Sequence, residues 1–451
     1  MTDKENTYKA GADAVPYLKG KVRLKSFVYF PAIFWIMLWL SINTGPWVLR
    51  SEPEDITEWM HWARTLFQPL ILLSSMFFLM LRHDRVKLPG NARLWLHYGL
   101  IGLLASLLSP EPLDAAYWAI AYLSAFTAMM LYLREGELLK TALQLNYLTW
   151  VITLVFLSIL VFVARDSLFI GSDAGLTGYG IEARMPTVVQ MPMSRSSGMA
   201  RFAAVPGIIS FVLFWRAPKW QRIGWGGLFF YSAALIYLMQ SRGAIFGLAF
   251  SLAFVMILLG KRTRVIGMIL MVIFGAGLFA DIFPKEIVDQ VSEHLGRHQN
   301  REEIMSLTGR TRAWEQGMKV FWDSPIIGWG FQADRMLIKE HVHNTYLYAL
   351  LTSGLVGGTL FLLGLVWTWG MFYRVLRSDT AERLNQKVPF IICGGILAFF
   401  TVRSIPEVSG SLFGVDFLIM LPAVAYIGIL DAQRGDGPAH VTIWNRVKIR
   451  W

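Results

Sequence analysis

A single cysteine, Cys393, in 451 residues leaves no intrachain disulfide possible, and its apolar surroundings leave the redox compartment unread. Charge is scarce too. Asp, Glu, Lys and Arg make up 16% of the chain, against roughly 25% in soluble domains. No strand pattern is evident, so no P-loop or dinucleotide fingerprint has the strand it must follow. What remains is strongly apolar: 55% hydrophobic and 14% aromatic residues, with a mean hydropathy of +0.46. That composition implies an all-α polytopic membrane protein. Eighteen Trp and fifteen Tyr suit aromatic belts at both membrane interfaces. A net charge of +11 in a soluble chain would suggest nucleic acid. Here basic loops on the anionic inner leaflet explain it, and no nucleic-acid partner is expected.

A spanning helix needs roughly 20 mainly apolar residues. Twelve runs qualify or nearly do, at about 27–48, 63–81, 94–109, 114–133, 141–164, 198–215, 223–240, 242–260, 264–282, 345–373, 388–403 and 411–430. The third and eleventh are short. About 25 polar and basic residues precede the first run without a cleavable signal pattern, so that run is expected to act as an uncleaved anchor. Twelve spans put both termini on one side. The positive-inside rule selects the cytoplasm, because every even-numbered connection and both tails are basic. Examples are Arg82, Arg85, Lys87 and Arg93 after span two, and Arg374, Arg377, Arg383 and Lys387 after span ten. The intervening short loops are acidic or nearly neutral.

The expected organisation is a cytoplasmic tail at 1–26 and spans one to nine at 27–282, with an outer loop at 165–197. A large outer loop follows at 283–343, then spans ten to twelve at 344–430 and a cytoplasmic tail at 431–451. Both outer loops exceed what a connector needs, and long ordered loops usually carry function.

The same outer face collects the candidate chemistry. His341 and His343 close the large loop as span ten begins. Arg195 and Arg201 lie at the entry to span six, Arg242 starts span eight, Arg310 and Arg312 lie in the large loop, and Arg403 follows span eleven. A charge as close to hydrocarbon as Arg242 costs several kcal/mol unless it snorkels or meets a partner. It is therefore either a site residue or a snorkelling cap. Arg201 poses the same choice. Arg310 and Arg312 either contact ligand, face solvent or pair with Glu302, Glu303 or Glu315. Residues 307–325 read as an amphipathic helix whose start Thr308 can cap, with an apolar stripe of Trp314, Met318, Phe321 and Trp322, closed by Pro325 and the turn Gly328-Trp329-Gly330.

Several arginines on one face, with no acidic cluster of matching size, suit a polyanion, and the planar guanidinium fork suits phosphate. Their field disfavours an imidazolium at 343 and leaves a neutral ring able to accept a proton. The alternative for His343 is a helix-start histidine bonded to backbone. Metal readings are weak. His341 with His343, and His294 with His298, lack the third ligand that zinc needs. No cofactor is expected.

The run His343-Asn344, nine residues, then Gly354-Leu355-Val356-Gly357 resembles the His-Asn-x9-Gly-x-x-Gly signature of bacterial O-antigen ligases. The stretches RSSGMARFAAVPG, SRGA and TGRTRAWE with the later GWG are similar to that superfamily in order and placement. The resemblance implies a GT-C-like, metal-independent glycosyltransferase of the bacterial inner membrane. Its donor would be a glycan on undecaprenyl pyrophosphate at the periplasmic face, and its acceptor a sugar hydroxyl of lipid A–core. Carried over by position, His343 would be the general base. Arg242, with Arg195 or Arg201, would hold pyrophosphate, Arg310 and Arg312 would help, and Asn344 and His341 would line the substrate. A single displacement would invert the anomeric carbon. An O-antigen polymerase shares the donor and is the nearest alternative. A transporter of lipid-linked sugars would need polar groups at the midplane of several spans, whereas here they gather at one face.

Overall fold

The computed structural model describes residues 30–42, 56–81, 88–169, 196–239, 241–279 and 310–434. Every regular element among them is helical. The helices are α1 (Phe30–Leu40), α2 (Ile56–Leu81), α3 (Gly90–Ala105), α4 (Pro112–Leu133), α5 (Leu138–Phe169), α6 (Ser196–Arg216), α7 (Lys219–Leu238), α8 (Arg242–Leu259) and α9 (Lys261–Phe279). After the undescribed part of the large loop come α10 (Arg310–Asp323), α11 (Thr345–Arg377), the single turn α12 (Thr380–Arg383), α13 (Lys387–Arg403) and α14 (Val415–Ala432).

Each of the twelve apolar runs falls on one helix, and α10 and α12 are the two extra ones. By length and apolar content, α2, α4, α5, α11 and α14 are able to cross a bilayer, counting only described residues. The described residues thus form the all-helical body of a membrane protein. The short eleventh run becomes α13, whose 17 residues rise about 25 Å at 1.5 Å each.

The core gathers around α14. Residues Val415 to Leu430 of that helix are all buried, which is the pattern of a helix enclosed on every side. Aromatic faces pack it in place. Tyr122 of α4 stacks on Phe417 at 4.1 Å, and Trp95 of α3 stacks on Phe361 of α11 at 5.0 Å. Buried polar groups also join the helices. The Asn91 amide donates to Thr368 Oγ1 at 3.0 Å and to the Val424 carbonyl at 2.9 Å, tying α3 to both α11 and α14.

One irregularity shapes everything near the site. Helix α11 breaks at Ser353 (φ −141°, ψ 22°) and Gly354 (φ 59°, ψ −162°). A break inside an apolar helix strands backbone donors and acceptors that lipid cannot satisfy. Here residues 325–330 satisfy them. Trp329 and Gly330 N–H donate to the Leu351 and Thr352 carbonyls at 2.8 and 2.9 Å, and Leu355 and Val356 N–H donate to the Pro325 and Ile326 carbonyls at 2.7 and 3.2 Å. The contact is too close for side chains. A methyl group on Gly354 would sit 2.2 Å from Ile326 backbone, and one on Gly328 (φ 81°) would sit 2.6 Å from the Gly354 nitrogen. Only glycine combines positive φ with such an approach. The Gly-Trp-Gly turn, expected merely to end a helix, is the partner of the Gly-x-x-Gly motif.

Candidate functional site

Helices α6, α8, α11 and α14 begin, and α13 ends, at one end of the bundle. The Thr345 amide donates to the Ser404 carbonyl at 3.0 Å, and its hydroxyl donates to the Glu407 carbonyl at 2.8 Å. These bonds join the start of α11 to the 404–414 loop. Gly243 of α8 lies against Pro406, with an added methyl reaching 3.7 Å from that ring. Arg242, the first residue of α8, therefore enters its helix beside this loop. Several helix N-termini at one place supply partial positive charge in addition to the side chains.

His343 stands immediately before the cap of α11, with φ at +45°. A non-glycine residue in that region is uncommon and costs about 1–3 kcal/mol, so the surroundings must hold it. Asn344 does much of this. Its side-chain carbonyl accepts from Tyr346 and Leu347 N–H at 3.0 and 2.9 Å, and its amide donates to the Ile405 carbonyl at 3.0 Å. The residue expected to line the substrate is the helix cap, a role that Asn fills well.

The imidazole meets a carboxylate that sequence reasoning missed. Glu407 Oε2 lies 3.1 Å from His343 Nδ1, and Glu407 Oε1 accepts from Arg310 at 2.9 Å. Burial alone would raise the Glu407 carboxyl. The His343 hydrogen bond and the cationic Arg403 and Arg310 overcome it and hold the group well below the usual carboxylate range. An ionised carboxylate only accepts hydrogen bonds. Nδ1 is then the protonated nitrogen, and in the neutral ring Nε2 carries the open lone pair. The His343 side chain is 28% exposed.

Deeper lies a second ion cluster. Arg201 of α6 donates to Asp416 Oδ1 at 2.7 Å. Asp416 Oδ2 takes Ser409 Oγ–H at 2.7 Å and faces Arg403 Nε at 3.4 Å. Arg403 is buried, 3% exposed at its side chain. The expectation of arginines without matching acid needs correction: Asp416 and Glu407 lie between them. Sequence spacing did not reveal them because α14 and the 404–414 loop are distant in sequence from Arg201, Arg242 and Arg310. The acid beside Arg310 is Glu407, whereas Glu302 and Glu303 lie outside the described residues.

His341 pairs elsewhere. Its Nδ1 lies 2.5 Å from Asp334 Oδ2, which also accepts Val342 N–H at 3.1 Å, while Asp334 Oδ1 accepts Arg335 N–H at 2.9 Å. Burial pushes the Asp334 carboxyl up, but His341 and the backbone donor outweigh it and leave the group below its ordinary value. The His341 and His343 rings meet edge to face at 4.6 Å.

In α10, Arg310 faces Glu407 while Arg312, two residues on and about 200° around the helix, is exposed. The buried face is Ala313, Gly317 and Phe321, with Trp314 Nε1 donating to the Val342 carbonyl at 2.7 Å. Met318 and Trp322 are exposed rather than part of a packed stripe. Thr308, Arg195, His294 and His298 lie outside the described residues.

The site therefore brings together Arg201, Arg310, Arg403, His343, Glu407 and Asp416, with Arg242 entering its helix alongside. It leaves Arg312 apart. Residues 227–362 match the family model described as O-Antigen ligase. The chain is also similar to Exopolysaccharide production protein ExoQ of Rhizobium meliloti (strain 1021), with 30% identity over 120 residues, 23% of this chain and 26% of that protein. The match spans about a quarter of ExoQ's length. The matched stretch runs from α7 into α11 and holds Arg242, Arg310, His343 and both motif glycines, and over it the chain is similar to the O-antigen ligase family.

Proposed function

We propose that the protein is a glycosyltransferase that moves a glycan from a polyprenyl pyrophosphate, the undecaprenyl carrier, to a sugar hydroxyl of lipid A–core. The reaction takes place on the periplasmic face of a twelve-span inner-membrane bundle. One observation carries this reading above the others: His343 has an ionised carboxylate on Nδ1 and an arginine on the far oxygen of that carboxylate. The acceptor hydroxyl gives its proton to His343 Nε2 as its oxygen attacks the anomeric carbon. The bond from that carbon to the pyrophosphate oxygen breaks, and the configuration inverts. Glu407 orients the ring and stabilises the imidazolium that forms, the part a carboxylate takes in hydrolytic triads.

Pyrophosphate is already a good leaving group, so the protein must chiefly position it and neutralise its charge. Arg201 and Arg242 supply that charge at the starts of α6 and α8, and Arg310 supplies it from the loop. Arginine forks match phosphate oxygens two at a time and take the place of a divalent ion.

The test is transfer by the purified full-length protein from lipid-linked glycan to lipid A–core with EDTA present. Product is expected with the wild type and none with His343→Ala. A requirement for added Mg²⁺ would overturn neutralisation by arginine. A second reading is elongation of lipid-linked glycan, favoured by the similarity to a protein named for exopolysaccharide production. Longer lipid-linked chains in place of modified lipid A–core would select it.

A further inference from the structure

Helix α10 has three faces. Ala313, Gly317 and Phe321 pack inward, where a methyl group on Gly317 would already meet Leu347 and Val342. Arg312 and Lys319 form an exposed polar back. Between them runs a flank on which Met318 and Trp322, one turn apart, are exposed, Trp322 at 67%. The chain continues as one more turn, with Gly328 N–H donating to the Ser324 carbonyl at 3.0 Å, and presents Ile326 at 63% and Ile327 at 44% exposure.

What lies against that flank follows from its neighbour. On α11, Leu355, Val356, Leu362, Leu363, Val366 and Trp367 are exposed at the three-, four- and seven-residue spacing of one helical face. An exposed apolar stripe on a helix long and apolar enough to cross a bilayer faces acyl chains. The Val356 N–H to Ile326 carbonyl bond joins this stripe directly to Ile326 and, a turn back, to Trp322. We propose that the Met318–Trp322–Ile326–Ile327 flank lies in the interfacial layer of the lipid bilayer, continuing the lipid-facing surface of α11 onto the large loop. Tryptophan at such a boundary and a charged opposite face are what an interfacial helix uses. Since Arg310 begins the same helix, the membrane then sets its position over Glu407.

The test uses the full chain with Cys393→Ala, carrying one nitroxide label at a time through Trp322→Cys, Ile326→Cys, Arg312→Cys, Lys319→Cys or Leu363→Cys in proteoliposomes. Labels at 322 and 326 are expected to be relaxed by oxygen more than by a water-soluble nickel complex, like the label at 363. Labels at 312 and 319 are expected to favour nickel. Nickel access at 322 and 326 equal to that at 312 would overturn the proposal. So would shielding of both from oxygen and nickel alike, which a second copy or another protein would produce. The unmutated protein gives an independent reading: phosphatidylcholine with a diazirine in its acyl chain should crosslink to the peptide holding Trp322–Ile327. Crosslinks confined to α11 would overturn it.

Discussion

Two histidine–carboxylate pairs sit side by side here and do different work. Asp334 is wholly buried and spends its carboxylate on His341 and two backbone N–H groups, all within residues 334–342. Glu407 is 15% exposed and shares its oxygens between His343 and Arg310, both side chains. The first pair is a clasp that fixes the 334–342 loop. The second, in the proposed reaction, is a polarised base beside cations. In the proposed reaction the same two functional groups thus become structure or chemistry according to what else the carboxylate holds.

The strongest way to break that comparison is His343→Ala, which should lower transfer by about 10²–10⁴-fold with thermal unfolding little changed. Equal loss from His341→Ala with intact folding would show that both rings do chemistry. Next in size is Glu407→Gln, which keeps shape but removes charge. Turnover should fall by about 10²-fold or more, with the amide free to favour the wrong ring tautomer. Because the folded Glu407 carboxyl lies below its unfolded value of about 4.3, its contribution is complete above that pH and disappears as pH falls through the folded value. Activity lost between pH 7 and 5 is therefore not protonation of Glu407, and the pH profiles of wild type and Glu407→Gln measure this.

Arg242→Lys keeps the charge and loses the fork, so activity should drop about 10-fold or more, at about 1.4 kcal/mol per decade. Unchanged turnover would remove Arg242 from the site. The smallest effect on transfer belongs to Asp334→Asn, which should act on stability instead, by about 1–3 kcal/mol in unfolding. The Asp334 carboxyl also lies below its unfolded value. The stability gap between wild type and variant should therefore be full at pH 7, above that value of about 3.9, and shrink as pH falls below it. A gap that widened on acidification would contradict the assignment.

Helices were legible because hydrophobic runs of the right length leave one stable form in lipid, and all twelve expected runs fall on helices. The gathering of Arg201, Arg310 and His343 at one end of the bundle followed from the place of Arg201 and His343 at the ends of runs and of Arg310 in the loop on the same side. The acids were not legible. Glu407 lies between the last two runs and Asp416 at the start of the last, and nothing in their neighbourhood states which of several arginines they face. Nor was the destination of Met318 and Trp322, since spacing alone assigns a stripe to a helix face without saying whether protein or lipid covers it. Asn344 shows the converse: a residue next to the base reads as a ligand until its three hydrogen bonds are seen to be spent on backbone.

The seam between residues 325–330 and the interruption at Ser353–Gly354 also governs the order of assembly. The two strands of that seam are made some 25 residues apart, and neither has a place for its amides until the other arrives. The tenth apolar segment therefore cannot settle on its own merits. Its insertion waits on a piece of the preceding loop, and a chain with that piece excised would carry a wound in its backbone where hydrocarbon offers no repair.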